Sequence, residues 1–430
     1  MKNKICVIGM GYVGLTLSGV CLRSGYNVVG IEINDKIRQI INSGKAHFYE
    51  PGLDQILTSA IEDSKLICTD PKDSKEIPNC EIFIVTVGTP LIPGTEKPNL
   101  SHIKSAIDTI IPFLDENKLI ILRSTIVVGL TSSEIIPYII NNSNLLETQI
   151  NISFAPERTV EGNALKELTD LPQVIGYNNP NAKKLAVNFF RSYVKDIKLV
   201  DSIEAAELVK LFNNVYRDLN FSIGNAFNEI SKYFNLDGYR IIEAANYNYS
   251  RSKIALPGFV GGPCLEKDSY ILCNNLNNEK LSDFIINGRK FNESQEESTV
   301  NWIKENFKLN DKILLTGMAF KGKPDTGDLR GSSSIKIFKK LKNLGFDNMY
   351  IHDFIALYDE LKELDSVEVI EDITKTTNDF KLIAILNNNL RYTENNFINW
   401  LSNKNGEILD IWNVTKLSNI NTLGNIWKKQ

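Results

Sequence analysis

At 430 residues the chain is too long for one ordinary core, and a prior of roughly 150 residues per domain suggests two or three. Its 43% hydrophobic and 23% charged residues are those of a globular protein, and a formal charge of -4 with both signs interspersed offers no continuous basic stripe for nucleic acid. No apolar run approaches the ~18 residues of a membrane span, and Met1-Lys2-Asn3-Lys4 leads directly into a strand-like segment rather than a signal peptide, so a soluble, cytoplasmic protein with no membrane partner is expected.

Over the first ~200 residues, short β-branched runs alternate with amphipathic segments. Lys4-Ile8, Asn27-Ile31, Ile82-Val87, Leu119-Arg123 and Ile152-Ala155 are predicted as strands, and Val13-Ser24 and Leu100-Leu114 as helices between them. Right-handed βαβ crossovers and a buried parallel sheet follow. The first strand runs into Gly9-Met10-Gly11-Tyr12-Val13-Gly14, a tight glycine turn opening a helix, and Glu32 closes the next strand 18 residues beyond Gly14. In such a turn Gly9 permits the bend, Gly11 lets the backbone approach a pyrophosphate and Gly14 allows close helix packing, while the helix N-terminus attracts phosphate. A carboxylate at Glu32 accepts ribose hydroxyls and repels a 2′-phosphate, which favours NAD over NADP. Two later strand ends, Thr86 to Thr89-Pro90 and Arg123-Ser124-Thr125, carry small hydroxyl residues where an open sheet presents its crevice. They read either as cofactor contacts or as ordinary strand-to-loop turns.

From about Ser202 to Phe234 the pattern is one long helix, with Leu211, Val215 and Leu219, and Ile203, Ala206 and Ile223 beyond them, at helical spacing. It connects two domains, and the apolar surface it must cover makes a homodimer the expected assembly. Lys210, Asn214 and Arg217 fall at i, i+4 and i+7 on one face. A polar stripe of this kind is ordinarily solvated. Next comes Pro257-Gly-Phe-Val-Gly261-Gly262-Pro263-Cys264-Leu-Glu-Lys-Asp268, which sets a cysteine in permissive backbone four residues before an aspartate, as a reactive thiolate would be set. The other five cysteines read as small buried hydrophobes, and three histidines without ligand spacing argue against a histidine metal site or a histidine-centred triad. After about Trp302 a second alternating block begins, with strands at Lys312-Leu315, Met349-Ile351, Leu382-Leu386 and Glu407-Asp410 and a helix at Ser333-Leu344. The expected architecture is α/β: two Rossmann-like, doubly wound parallel sheets, residues 1–200 binding NAD and residues 301–430 the other ligand, joined by a central helical dimerisation region at 201–300.

Five ordered motifs carry a resemblance: Gly9 to Leu15, Phe154-Ala-Pro-Glu157 through Glu161-Gly162, Glu207-Leu-Val-Lys210 through Asn214, Gly261-Gly-Pro-Cys264 to Asp268, and Gly317-Met-Ala-Phe-Lys321 through Arg330 to Ser334. The chain resembles the UDP-glucose/GDP-mannose dehydrogenase family over nearly its whole length. The resemblance implies oxidation of a sugar C6 alcohol to a carboxylate with two NAD per nucleotide sugar, for surface polysaccharide biosynthesis. It implies that Cys264 holds a thiohemiacetal and then a thioester, that Glu157 is general base for hydrolysis, and that Lys210 and Asn214 stabilise the oxyanion. Asp268 would handle protons or orient the water, and Thr125 would hold that water or the nicotinamide. Gly9, Gly11, Tyr12, Val13, Gly14, Glu32, Thr89, Thr125 and Arg330 are implied cofactor contacts. Glu161, Lys210, Asn214, Arg217, Phe259, Gly261 and Lys321 are implied substrate contacts, with Arg251 reaching a partner subunit's sugar site.

The sugar itself is narrowed by departures from the UDP-glucose pattern. Glu157 is followed by Arg158 and Thr159, where members using UDP-glucose carry two hydrophobic residues. The stretches around Asn214-Asp218, Phe221-Glu229 and Asn163-Gly176 are more similar to the UDP-N-acetylhexosamine branch, and Arg217 could hydrogen-bond an acetamido carbonyl. UDP-N-acetylmannosamine and UDP-N-acetylglucosamine are therefore the expected substrates, with UDP-glucose or GDP-mannose as alternatives. Pro263 stands where relatives often carry His or Ser, a departure in loop geometry that leaves the thiol in place. A catalytically silent sugar-nucleotide binder, or a two-electron dehydrogenase or epimerase on the same fold, would not need this set of residues.

Overall fold

Runs such as Ile82–Val85 and Leu119–Leu122 lack a polar alternate face because their sheet is covered on both sides. The computed structural model describes residues 4–73, 75–364, 367–418 and 420–426. It comprises two units, Met1–Asn213 with Tyr270–Asn277 and Asn214–Ser269 with Asn278–Gln430. In the first, the strands β1 (Lys4–Ile8), β2 (Asn27–Ile31), β3 (Leu66–Thr69), β4 (Ile82–Val85), β5 (Leu119–Leu122), β6 (Asn151–Phe154), β7 (Gln173–Tyr177) and β8 (Ile197–Leu199) form one sheet. Their order is β3-β2-β1-β4-β5-β6-β7-β8, parallel except for β6 against β7. Side chains alternate between two cores: Ile5 and Val7 enter one with Leu17 and Phe189, while Cys6 and Ile8 enter the other with Phe83 and Ile152. The sheet's growth reverses between β1 and β4, and the carboxyl ends of strands at such a switch point frame the ligand crevice of an open α/β sheet. Gly9 ends β1 there, tied to β4 by the Thr86 hydroxyl, which donates to the Gly9 carbonyl at 2.7 Å.

The second unit holds β9 (Ile313–Thr316), β10 (Met349–His352), β11 (Glu368–Val369), β12 (Leu382–Ile385) and β13 (Glu407–Asp410), all parallel, in the order β11-β10-β9-β12-β13. Both sheets are of the expected doubly wound kind, and the long helix is present as Ile203–Tyr233. Four cysteines, Cys6, Cys21, Cys68 and Cys80, are buried as expected. Cys273 is only half-buried, which corrects the fifth assignment: it ends the helix Leu265–Cys273, where the chain turns out into exposed Asn274 and Asn275. Among the described residues no helix is long and apolar enough to cross a membrane.

The long helix inverts the usual amphipathic rule. Ile203, Ala206, Leu211 and Val215 are buried as expected, but so are Glu207, Lys210, Asn214, Asp218, Asn225 and Asn228. Ile223, expected inside, is 47% exposed, in line with exposed Tyr216, Phe227 and Ile230. Buried polar groups require partners, and those of the inner stripe find them on other segments of the chain.

In the second unit His352 is 2% exposed, its Nδ1 2.8 Å from Thr316 Oγ1, which in turn lies 2.8 Å from the Tyr392 hydroxyl. Burial pushes the imidazole from its ordinary 6.5 down to about 3. The folded state therefore holds fewer protons than the unfolded state between these values, so the stabilisation is complete above pH 6.5 and is lost as pH falls toward 3. The difference in unfolding free energy between wild type and His352→Asn is expected to shrink by about 2 kcal/mol from pH 7.5 to pH 5 in urea titrations. That difference isolates the imidazole from Asp353 and Asp410, whose carboxyls burial pushes the other way. A pH-independent difference contradicts the assignment.

Candidate active site

The glycine turn after β1 has the geometry its sequence requires. Gly9 has φ +90°, a conformation that L side chains rarely adopt. At Gly14 a Cβ would lie 2.0 Å from the Gly9 carbonyl oxygen, so only glycine lets the helix pack against the turn. At Gly11 a Cβ would meet nothing within 4 Å, which leaves that face of the turn open. Gly11 is also the N-cap of the helix Tyr12–Arg23, with no capping side chain and no acidic residue in the first turn. The positive end of the helix, with the N–H groups of its first turn including Val13, is thus available to an anion. Glu32 lies beside the turn: its carboxylate accepts the Met10 N–H at 3.1 Å and the Asn34 N–H at 2.9 Å. These residues fit a dinucleotide with pyrophosphate at Gly11 and ribose at Glu32.

Around this turn, loops from β4 to β7 are stitched together. Thr89, 3% exposed, donates its hydroxyl to the Thr125 carbonyl at 2.6 Å, joining the ends of β4 and β5. Glu207 of the long helix accepts the Gly129 N–H and the Thr131 hydroxyl, each at 2.6 Å, and burial raises its carboxyl. It braces the loop that begins at Thr125. Tyr12 donates to buried Glu50, and Gly162 N–H reaches the Tyr12 hydroxyl at 2.8 Å, which fixes the segment holding Glu161. Just after β6, Glu157 is 8% exposed and accepts the Thr159 N–H, and its other oxygen lies 3.7 Å from Lys210 Nζ. A buried carboxylate and a buried ammonium from distant parts of the chain are thereby paired.

In the second unit the cysteine loop meets the continuation of the same helix. Asn214 Nδ2 donates to Asp268 Oδ2 at 2.6 Å, and Lys267 Nζ holds the other carboxylate oxygen at 2.8 Å. Asp268 is 1% exposed, whereas Cys264 is exposed and precedes the helix Leu265–Cys273, its carbonyl accepting the Lys267 and Asp268 N–H groups. Gly262 has φ +96°, and a Cβ on Gly261 would lie 2.3 Å from the Gly331 carbonyl oxygen. The glycines thus let the loop press on its neighbours. Phe259 is buried in the hydrophobic core with Met318 and Ile335. Lys321 is half-buried over the Phe320 ring at 5.5 Å, Arg217 is exposed, Arg251 lies 4.8 Å over Tyr249, and exposed Arg330 forks onto Asp328. Sequence reasoning missed Arg289, which is 1% exposed, salt-bridged to Asp218 at 2.7 Å and bonded to the Val260 and Leu265 carbonyls. It also did not assign Glu50 or Glu207. In the sequence Arg289 is one of two adjacent cations, Arg289-Lys290, and such a pair is ordinarily solvated.

Models of one family match three successive stretches: the NAD binding domain of the UDP-glucose/GDP-mannose dehydrogenase family at residues 3–194, its central domain at 204–294 and its UDP binding domain at 314–417. The UDP-N-acetyl-D-mannosamine dehydrogenase of Pyrococcus horikoshii is 34% identical over 348 residues, 79% of this chain and 81% of that protein. The enzyme of the same name from Campylobacter jejuni is 32% identical over 352 residues, covering 79% and 83%. The solved UDP-D-ManNAc dehydrogenase from Pyrococcus horikoshii superimposes with a TM-score of 0.85 at 29% identity, covering 98% of this chain and 99% of that one.

Proposed function

The chain belongs to the UDP-glucose/GDP-mannose dehydrogenase family of NAD-dependent enzymes, and from that premise we propose that it oxidises C6 of UDP-N-acetyl-D-mannosamine to the carboxylate through a covalent adduct on Cys264. The observation that carries the chemistry is the inner stripe of the long helix. Lys210 and Asn214, one turn apart, are buried and each is paired with a carboxylate, Glu157 and Asp268 respectively. The choice of sugar is supported by relatives named for UDP-N-acetyl-D-mannosamine at 31–34% identity and by the Arg158-Thr159 pair after Glu157.

When bound, NAD would supply the hydride acceptor for C6 in each of two oxidations, with the hydroxyl proton passing to water. Gly9, Gly11 and Gly14 with the first turn of their helix hold its pyrophosphate, Glu32 its ribose, and Thr89 and Thr125 shape the wall beside it. Cys264 sulfur adds to the C6 aldehyde, forming a C–S bond, while Lys210 and Asn214 donate to the oxygen on which negative charge develops. After the second oxidation C6 is a thioester. Glu157 then removes a proton from water as its oxygen adds to C6, the C–S bond breaks, and Asp268 steers the proton traffic that restores the thiol. Each carboxylate consumes one water and two NAD+ and releases two NADH and three protons. Glu161, Arg217 and Lys321 supply polar contacts to the nucleotide sugar, Phe259 and Gly261 shape the loop against it, Arg330 serves the cofactor, and Arg251 reaches the neighbouring subunit.

NADH release with UDP-N-acetyl-D-mannosamine, UDP-N-acetylglucosamine, UDP-glucose and GDP-mannose tests the substrate. The first should give the highest kcat/KM, and equal or faster turnover of UDP-glucose overturns the choice. The enzyme acts in the cytoplasm in supplying an acidic sugar for surface polysaccharide. It works as a homodimer in which a second copy covers Tyr216, Ile223, Phe227 and Ile230, an exposed apolar row at helical spacing. Phe227→Asp with Ile230→Asp should turn a dimer into a monomer in sedimentation velocity, and a wild type that sediments as a monomer at micromolar concentration contradicts the assembly.

A further inference from the structure

The geometry points to Arg289 as the positioning residue for the nucleophile: one buried guanidinium pins both ends of the glycine-rich segment that presents the Cys264 thiol. This rests on the proposed role of Cys264 and extends it to a residue that carries no chemistry itself. Arg289 lies in the helix Glu279–Asn306 and is 1% exposed. Its Nη2 donates to the Val260 carbonyl at 2.9 Å and its Nη1 to the Leu265 carbonyl at 3.3 Å. Between these two acceptors stand only Gly261, Gly262, Pro263 and Cys264. Two glycines in four residues leave such a segment many backbone conformations, which the Gly262 N–H bond to the Gly331 carbonyl at 2.8 Å restricts in the middle and the guanidinium at both ends.

The clamp is itself held. Nη1 also bonds Asp218 Oδ1 at 2.7 Å. Asp218 is fixed by Asn292 Nδ2 at 2.8 Å and by the Ser269 hydroxyl at 3.1 Å, and Asn292 also donates to the Asp218 carbonyl at 2.9 Å. Gly288, the residue before Arg289, packs against the Leu219 side chain, where a Cβ would lie 2.5 Å from Leu219 Cδ2. An ammonium cannot replace this group. Lysine keeps the charge but lacks the planar fork that serves two carbonyls and a carboxylate at once.

The test follows the two NADH equivalents separately by rapid mixing, with excess NAD and the panel sugar that the wild type oxidises fastest. Thiol placement matters only after the aldehyde exists. Arg289→Lys should therefore release the first equivalent within about threefold of the wild-type rate and the second about ten- to a hundredfold more slowly, because small misplacements of a reacting group cost rates of that order. The first equivalent doubles as the folding control within the same molecule. Asp218→Asn, which keeps an acceptor for the guanidinium, should give the same split at smaller size and serves in its place if Arg289→Lys does not fold. Equal slowing of both equivalents, or of neither, overturns the positioning role. Cys264→Ser in parallel separates the two roles: arrest after one equivalent upholds the nucleophile, so that the split in Arg289→Lys alone decides the clamp, whereas release of a second equivalent removes the thiol's role and the clamp's purpose with it.

Discussion

Cys264→Ser should abolish carboxylate formation while sugar-nucleotide affinity stays within a few-fold of wild type. The first oxidation needs only hydride removal and a base, so the variant is expected to release one NADH per sugar and halt at the aldehyde. A serine hydroxyl at neutral pH is a far weaker nucleophile than a cysteine sulfur unless an adjacent base activates it. The neighbouring carboxylate, Asp268, already accepts from Asn214 and Lys267. Loss of a covalent nucleophile costs at least about a thousandfold in comparable enzymes. Serine keeps the size and polarity of the side chain, so the loss reports on chemistry. Carboxylate production by this variant within tenfold of wild type would remove the covalent mechanism, whatever else the protein does.

Lys210→Met is the second large effect, and it has two separable parts. Removing the ammonium takes away a donor to the developing oxyanion, for which kcat is expected to fall about a hundred- to a thousandfold. It also leaves Glu157 without the counter-charge 3.7 Å away in a setting where both side chains are about nine-tenths buried. An uncompensated buried charge typically costs about 3–5 kcal/mol, so urea unfolding should show a loss of that order. Adding Glu157→Gln to Lys210→Met should recover much of the stability and none of the rate, since the remaining amide needs no ion partner. A lone Lys210→Met that keeps kcat within tenfold, or a double variant that regains activity, contradicts the paired roles.

Much of this was legible because some local geometries admit few residues. The Gly9, Gly11 and Gly14 spacing translates directly into a φ of +90° at Gly9 and a helix that could not approach past any Cβ at Gly14. The long helix was legible from its period, but its orientation was not. Periodicity locates a stripe without saying which stripe faces inward, and here Asn214, Asp218 and Asn225 go in while Tyr216, Ile223 and Phe227 stay out. Short strands such as Ile197–Leu199 and Glu368–Val369 were invisible, since three or two residues carry no measurable alternation and owe their conformation to a neighbouring strand. Arg289 was illegible for a related reason: its partner Asp218 is 71 positions away, and nothing local distinguishes a buried arginine from a solvated one. Glu50 braces its loop through backbone N–H groups and leaves no pattern in the sequence, and Glu207 opens a matched motif in which nothing local shows its bracing role.

The most direct test of the four-electron chemistry is the ratio of NADH formed to UDP-N-acetyl-D-mannosamine consumed, read by absorbance and by quantifying the sugar nucleotide in the same quenched samples. Two NADH per sugar are expected, with the uronate as the product. One NADH per sugar, or sugar consumed with no net NADH, would contradict it.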